Sequence, residues 1–283
     1  MLGRMWDGGD IAQEMVRQVR AEVTSLRHEG RPPPTLVELR VSDSSPHHRI
    51  QMLQEEACRL SGISYQVRSL PVPGDYQAIA PALAELNADP RVTGITIHAP
   101  ASVSWQAFAG AMTPEKDVDG WHPLNLGRLI INKRKQRPAR GMEVVHLLKQ
   151  AGVELLGAHV ICLGNATGLA GVFALLCLHE NATITAWRSP GAQLSKMLQC
   201  GDVVLIDTAD GPLAENATFK PGAVIIDARN LPQGQTWPSY EKWLEVVSLL
   251  IPLPDGVGLA TVALRLSSLV SLYRAQVCKP SGS

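Results

Sequence analysis

The feature that most constrains the fold is a regular alternation of short apolar runs with amphipathic stretches along this chain of 283 residues. In the first half, the runs that predict strands are 35–41, 65–70 and 92–97. The stretches with a helical period are 11–26, 49–60 and 76–87. Because strands that alternate with helices form parallel sheets covered by those helices, the pattern predicts an α/β fold.

The alternation resumes after a basic, irregular segment at 132–140. The strands predicted in this second series are 159–163, 183–187, 203–206 and 223–227, and the helices are 143–150, 171–179 and 192–199. A Pro/Gly loop is predicted at 250–258, followed by a last helix at 260–277. We therefore expect two α/β domains separated by a cleft. The first covers 1–138 and is completed by 260–283, and the second, 139–259, is Rossmann-like.

Charge and cysteine content exclude several classes of function. Lys plus Arg equals Asp plus Glu at 26 each, so the chain lacks the basic surplus that nucleic acid or an anionic membrane surface attracts. The five cysteines show no C-x-x-C spacing, which argues against a zinc site and a disulfide framework. The N-terminus has no apolar signal core, and the apolar runs are too short to span a bilayer. We expect a cytoplasmic protein.

A dense polar motif, KDVDGWHPLNLG, occupies residues 116–127. Asp117 and Asp119 are two positions apart, so in an extended segment they point the same way. Gly120 can adopt the positive φ that ends such a segment. A carboxylate held in this way can orient a substrate or accept a proton. Taken alone, a D-x-D-G string is more often a solvated acidic turn.

A glycine turn, GNATGLAG, follows the predicted strand at 159–163 and begins a helix. Such a turn lets backbone N–H groups approach a pyrophosphate, although tight strand–helix packing explains it equally well. Arg188 follows the next strand, where an arginine could meet the 2′-phosphate of NADP. The alternative is that Arg188 is an ordinary surface residue. The candidate cofactor-binding residues are Gly164, Asn165, Ala166, Arg188 and Ser189.

The motif at 116–127 resembles the KDVDG-F-H-P-x-N-x-G segment of the bifunctional methylenetetrahydrofolate dehydrogenase/cyclohydrolases, the FolD family. Further resemblances lie at 41–63, 94–102, 157–185, 220–227 and 252–261. The resemblance implies a folate-binding N-terminal domain, an NADP-binding Rossmann-like domain and a homodimer. It implies 5,10-methylenetetrahydrofolate as the ligand and no metal.

The functional residues of the family are replaced at several matching positions. Its catalytic lysine falls on Gln54, its tyrosine on Ile50, its serine on His47 and its glutamine on His98, whereas Asp119 keeps its type. In the family that lysine handles protons in the cyclohydrolase step. Glutamine does not ionise, so the resemblance predicts loss of that step. Asn165 and Ala166 replace the arginine and serine of G-R-S, which weakens the expectation of NADP binding.

Other groups appear where the resemblance places the folate pocket. His47, His98 and Asp255 add titratable side chains there, as a different proton-transfer chemistry would need, although a lone histidine is more often structural. The residues retained beside the pocket in the Pro/Gly loop are Pro254, Gly256, Gly258 and Thr261.

Three functions stay open at this point. In the first, the protein binds 5,10-methylenetetrahydrofolate through Asp119 and passes its one-carbon unit to a small acceptor nucleophile, with His98, His47 or Asp255 as the base. In the second, it is an NADP-dependent dehydrogenase with little or no cyclohydrolase activity, because hydride transfer depends on positioning rather than on the lysine. In the third, it is a non-catalytic folate-binding or regulatory homologue.

Overall fold

The chain forms two compact units. In the computed structural model, the six-stranded unit is Met1–Ile11 with Arg140–Thr261, and the three-stranded unit is Ala12–Ala139 with Val262–Ser283. The residues that the structure describes are 2–6, 8–41, 48–70, 76–98, 110–131, 139–165, 168–187, 193–207, 217–229, 239–252 and 257–277.

Strands and helices alternate through most of this described chain. The strands are β1 (Arg4–Met5), β2 (Thr35–Arg40), β3 (Ser64–Ser69), β4 (Gly94–His98), β5 (His159–Gly164), β6 (Thr183–Trp187), β7 (Val203–Asp207), β8 (Val224–Asp227) and β9 (Leu249–Pro252). The helices are α1 (Gly9–His28), α2 (His48–Ser61), α3 (Tyr76–Ala88), α4 (Pro123–Ile130), α5 (Ala139–Gln150), α6 (Leu169–His179), α7 (Leu194–Leu198), α8 (Ser239–Leu244) and α9 (Val257–Val277).

The three-stranded unit contains a parallel sheet in the order β3-β2-β4. Successive residues of β2 point to opposite faces, so Leu36 joins one apolar cluster while Val37 and Leu39 join another. Leu36 packs with residues of α1, α2 and α9, including Leu266. The opposite cluster packs against α3, with Leu83 fully buried. Helices therefore cover both faces of the sheet, as expected of parallel strands.

The six-stranded unit contains a second parallel sheet, in the order β1-β9-β8-β7-β5-β6. Strand β5 is flanked by β6 on one side and β7 on the other, so the strand order reverses there. In sheets of this kind, ligands bind outside the carboxyl ends of the strands at that reversal. The predicted fold class, two α/β domains with parallel sheets, is confirmed.

Four elements were missed by the sequence prediction. Strand β9 overlaps the start of the stretch that was predicted to be a Pro/Gly loop, because three apolar residues that precede Pro252 fill an interior position of the sheet. Strand β1 has two residues and pairs Arg4 with Leu249, which places 1–11 in the six-stranded unit rather than in the predicted first domain. The short helices α4 and α8 carry too few residues for a clear period.

Apolar helices and buried thiols contribute to packing within the units. Among the described residues, no helix is both long enough and apolar enough to cross a membrane.

Cys58, Cys162 and Cys177 are buried free thiols, and Cys200 is exposed. Burial raises the pKa of the Cys58 thiol to about 11 and that of Cys162 to about 12. These two thiols are therefore protonated at neutral pH and unreactive.

Candidate functional site

Lys116, the first residue of the KDVDG motif, is a structural anchor. Its Nζ donates to the backbone carbonyls of Leu86, Asn87 and Asp89 at 2.9, 2.8 and 2.7 Å. Burial lowers the pKa of Lys116. The ammonium thus holds the motif against the end of α3, and all three of its donors serve the fold.

Asp117 closes the turn that leads into α4. Its carboxylate accepts from the backbone N–H of Gly120 at 2.8 Å and of His122 at 2.7 Å, and from Nδ2 of Asn125 at 2.9 Å. Gly120 has a φ of +78°, which glycine adopts without steric cost. Burial raises the pKa of Asp117, and the nearby charge of Asp119 acts in the same direction. The two carboxylates of the motif therefore have different partners and different roles.

Asp119 is the centre of a buried hydrogen-bond network, which we call the Asp119 network. Oδ1 accepts from Nε of Arg265 at 2.8 Å, and Oδ2 accepts from Oγ1 of Thr96 at 2.6 Å. Nη1 of Arg265 donates to Oε1 of Gln54 at 2.7 Å. All four residues belong to the three-stranded unit and are at most 5% exposed. A carboxylate buried this deeply is stable because a cation and a hydroxyl satisfy it.

Arg265 is a residue of this candidate site that the sequence prediction missed. It lies in α9, which was predicted only as the last packing helix. The available signal was one arginine inside the apolar run ATVALRLSSLV, because a charge on a buried helix needs a partner. A guanidinium keeps its proton in proteins, and the amide of Gln54 does not titrate. Neither Arg265 nor Gln54 can therefore act as a general acid or base.

A second polar cluster surrounds Glu38 on the same sheet. Glu38 is fully buried, and its Oε1 accepts from Nη2 of Arg40 at 3.0 Å. The hydroxyl of Tyr65 donates to Oε2, and Nδ1 of His98 lies 3.5 Å from Oε1. Burial is the largest influence on Glu38 and opposes ionisation, but His98, Tyr65 and Arg40 together lower its pKa. Glu38 is therefore a carboxylate beside an imidazole.

The register of the sheet brings these two groups to one face. Glu38 on β2 is paired with Thr96 on β4, and Arg40 is paired with His98. Paired residues, and residues two apart on a strand, point to the same face. Thr96 holds Asp119 on that face, and His98 follows Thr96 towards the carboxyl end of β4. The site is thus a polar layer near the carboxyl ends of the strands, where parallel sheets bind ligands.

The other predicted site residues are distributed as follows. Ile50 packs half-buried against the apolar cluster that contains Leu36. In the six-stranded unit, Gly258 is buried and Oγ1 of Thr261 lies 3.3 Å from Oε1 of Glu143. The predicted residues that lie outside the described residues are His47, Ala166, Arg188, Ser189, Pro254, Asp255 and Gly256. Within the described ranges, no three His, Cys, Asp or Glu side chains converge to hold a metal.

A carboxylate lies against the glycine turn of the six-stranded unit. Oδ2 of Asp207, the last residue of β7, accepts from the backbone N–H of Ala170 in the first turn of α6 at 3.2 Å. A Cβ added to Gly164 would lie 2.8 Å from the Asp207 carbonyl oxygen, and one added to Gly168 would lie 3.2 Å from Oδ2. Asn165 is exposed. Asp207 therefore packs directly against both glycines.

This arrangement does not fit the diphosphate of a dinucleotide. A helix N-terminus attracts anions through its unpaired N–H groups and its partial positive charge. At α6, the Asp207 carboxylate already provides that anion and bonds one of those N–H groups. A diphosphate in the same place would meet a like charge.

Comparison with known protein families gives a match over most of the chain. Residues 6–119 match the catalytic domain of tetrahydrofolate dehydrogenase/cyclohydrolase, and residues 138–277 match its NAD(P)-binding domain. A bifunctional protein FolD from Geotalea uraniireducens is 32% identical over 94% of this chain and 96% of its own length. A second FolD, from Brevibacillus brevis, is 27% identical over 98% and 99%.

Solved structures share the fold over nearly the whole chain. A methylenetetrahydrofolate dehydrogenase-cyclohydrolase from Trypanosoma brucei, complexed with NADP cofactor and inhibitor, has a TM-score of 0.87 and 23% identity over 98% of this chain and 99% of its own. The bifunctional enzyme FolD from Campylobacter jejuni has a TM-score of 0.86 and 23% identity over 96% and 99%.

Proposed function

The chain belongs to the tetrahydrofolate dehydrogenase/cyclohydrolase family, and from that premise we propose that it transfers the one-carbon unit of 5,10-methylenetetrahydrofolate to an acceptor nucleophile. The observation that carries the proposal is the Asp119 network. It keeps a buried carboxylate, but neither Arg265, which pairs with that carboxylate, nor Gln54, which accepts from Arg265, can exchange protons. A cyclohydrolase step that depends on a lysine at position 54 is therefore lost.

The Asp119–Arg265 pair would recognise the pterin. A pterin edge carries amino and ring N–H donors beside a carbonyl acceptor, and a carboxylate–guanidinium pair presents the complementary groups. The pair is neutral overall and almost fully buried, so a neutral pterin meets it without bringing a charge into the site. Thr96 fixes the second carboxylate oxygen at 2.6 Å, which holds the pair in one orientation.

His98 would serve as the base for the acceptor. Glu38 lies beside Nδ1, which favours a proton there, so Nε2 is left as the acceptor nitrogen and the ionised carboxylate stabilises the imidazolium. The methylene bridge opens by cleavage of the carbon–N10 bond, N10 takes a proton from solvent, and an iminium is left at N5. The acceptor attacks the iminium carbon, and the acceptor's proton goes to His98. The carbon–N5 bond then breaks as the acceptor's electron pair forms a double bond to the carbon, His98 returns its proton to N5, and water adds to the carbon and releases one proton to solvent. The products are tetrahydrofolate and a hydroxymethylated acceptor, with no net oxidation.

The test follows an isotopically labelled methylene carbon. The protein is incubated with labelled methylenetetrahydrofolate and a panel of amines, thiols and carbon acids, and mass spectrometry detects labelled adduct and released tetrahydrofolate. We expect His98→Gln to lower turnover by about 100-fold or more, as loss of a general base does. His28→Gln, an exposed histidine at the end of α1, is the matched control and should leave turnover unchanged.

Two results would contradict the proposal. One is that calorimetry detects no tetrahydrofolate binding by the native chain. The other is that Asp119→Asn binds the ligand as well as the native protein does, because the pterin contact would then lie elsewhere.

A dehydrogenase without cyclohydrolase activity is the second candidate. The observation that favours it is the match of residues 138–277 to an NAD(P)-binding domain, together with the strand reversal at β5. Gln54 is compatible with it, because hydride transfer depends on positioning. The test is the absorbance of reduced cofactor formed from methylenetetrahydrofolate with NADP and with NAD. No turnover with either cofactor would exclude a dehydrogenase.

A purely regulatory role is excluded if Asp119→Asn changes any turnover.

A further inference from the structure

We infer that Asp207 occupies, with its own carboxylate, the place at the N-terminus of α6 where this fold would hold a cofactor's diphosphate, and that it thereby weakens dinucleotide binding. The inference goes beyond the proposed function, since it concerns the six-stranded unit alone and none of the Asp119 network lies there. It also identifies the residue on which binding of a nicotinamide cofactor depends.

The topology places Asp207 at the ligand-binding edge of the sheet. Strands β5 and β7 are neighbours and parallel, and their last residues, Gly164 and Asp207, are paired in register. The glycine turn leaves β5 at that point and enters α6, so the side chain at the end of β7 lies beside the turn. A ligand that used the strand reversal at β5 would have to approach this position.

The contacts show that Asp207 lies against two glycines of the turn, with its backbone and Cβ near Gly164 and its carboxylate near Gly168. A glycine turn is open because it has no Cβ atoms, which allows a phosphate to come close to the backbone. Here the atoms nearest to a Cβ built on Gly164 are the Asp207 carbonyl oxygen at 2.8 Å and Ala170 Cβ at 2.9 Å. The atom nearest to a Cβ built on Gly168 is Asp207 Oδ2, at 3.2 Å. The same strand residue thus closes the turn at both of these glycines.

The residue at the N-cap of α6 has no side chain that could cap the helix. The N-cap residue of α6 is Gly168, and no side chain caps the helix from that position. Capping of the first turn usually comes from a Ser, Thr, Asp or Asn at the N-cap itself. At α6 the carboxylate arrives instead from β7 and accepts from Ala170 N–H at 3.2 Å. This is the position that an external anion would otherwise take.

The charge adds to the steric effect. A helix N-terminus carries roughly half a positive charge, which one carboxylate more than neutralises. A diphosphate then approaches a site whose local charge is negative, and repulsion at such short range is only partly screened by salt.

The test is calorimetric titration of the intact protein with NADP and with NAD, for the native chain, Asp207→Asn and Asp207→Ala. Asparagine keeps the shape and an acceptor oxygen while it removes the charge, and alanine also opens the space. We expect both variants to bind the dinucleotides about tenfold or more tightly than the native chain does, because a like charge at contact distance has been removed. Asp202→Asn is the matched control, since it removes the same charge just before the other end of β7, where Asp202 pairs with Lys220.

Two results would overturn the inference. One is micromolar binding of NADP or NAD by the native chain. The other is that the Asp207 variants gain no more dinucleotide affinity than Asp202→Asn does. Circular dichroism establishes that each variant is folded. If alanine disrupts α6, the asparagine variant decides, and the native affinity decides if both variants fail to fold. A tetrahydrofolate titration of the same samples reports on the proposed function separately, because its ligand would bind in the other unit.

Discussion

At the residue scale, Arg265 is the cation that allows Asp119 to remain charged in the interior. We predict that Arg265→Leu lowers the free energy of unfolding by about 3–5 kcal/mol, because it leaves a buried carboxylate without its partner. Urea unfolding followed by circular dichroism measures the loss. Arg274→Leu, on the same helix but in an exposed pair with Glu22, should cost less than about 1 kcal/mol. Equal losses in the two variants would contradict the assigned role.

A second substitution tests whether the position of the cation matters. Gln54→Lys in the Arg265→Leu background returns one positive charge to the neighbourhood of Asp119, from the side chain that Arg265 contacts at 2.7 Å in the native protein. We expect the double variant to recover at least about 1 kcal/mol of the stability lost by Arg265→Leu.

Glu38 should make the stability of the three-stranded unit depend on acidity. Although burial, the largest influence, opposes ionisation, His98, Tyr65 and Arg40 lower the folded-state pKa of Glu38. Its ionised form therefore stabilises the fold above the usual carboxyl pKa of about 4.3, and that contribution is lost as the pH falls through the lower folded value. We expect urea midpoints to fall below about pH 5, and to fall less steeply in Glu38→Gln.

The control for this pH dependence is Glu22→Gln, an exposed glutamate on α1 whose side chain is 46% accessible. Its profile should follow that of the native protein. If Glu38→Gln loses stability in acid as steeply as the native chain does, the acid sensitivity originates elsewhere.

The site also shows what sequence patterns reveal and what they leave out. Asp119 was predicted because it lies in a recognisable local string. Arg265, Glu38 and Asp207 were missed because their partners are distant in the chain. Arg265 bonds Asp119 across 146 positions, Tyr65 bonds Glu38 across 27, and Ala170 bonds Asp207 across 37. Such contacts depend on strand order and register, which hydrophobic periodicity does not specify.

At the scale of single elements, the close packing of β4 against its neighbours requires a glycine at position 94. A Cβ at Gly94 would lie 2.3 Å from Val118 Cγ1 and 2.5 Å from Leu269 Cδ1. We predict that Gly94→Ala destabilises the protein by about 1–3 kcal/mol through overpacking. Gly127→Ala, in α4 with nothing within 4 Å of the new atom, should be neutral or stabilising by up to about 1 kcal/mol. Thermal unfolding of both variants measures the difference, and a harmless Gly94→Ala would refute this packing.

The long amphipathic helices and buried strands of this chain were predictable, whereas its shortest elements were not. Helix α1 was predicted because Met15, Val19 and Val23 repeat at helical spacing and are buried. Strand β1 has only two residues and both are exposed, so the pattern of apolar residues does not indicate its pairing with β9. Helix α4 begins at Pro123 and is capped by the His122 side chain, which is an unusual start signal.

At the scale of the whole molecule, the proposed ligand should act on one unit. Tetrahydrofolate at about 100 times its dissociation constant stabilises the bound unit by about 2.7 kcal/mol. We therefore predict slower hydrogen exchange in Ala12–Ala139 and Val262–Ser283, and little change in β5, β7 and β8. Mass-spectrometric exchange with and without ligand measures this. Asp119→Asn should abolish the protection, and protection confined to the six-stranded unit would contradict the proposed binding site.

The contact between Gln54 and Arg265 spans 211 positions, and this separation has a consequence for synthesis. A ribosome releases the N-terminus first, so Leu36, Cys58 and Val118 emerge long before Leu266 and Leu269, against which they pack. Until those last residues appear, the nascent three-stranded unit exposes an open apolar face, and the Asp119 carboxylate lacks the Arg265 guanidinium. We expect truncated chains that end before α9 to depend on chaperones and to aggregate without them, even though they contain all three strands of the sheet.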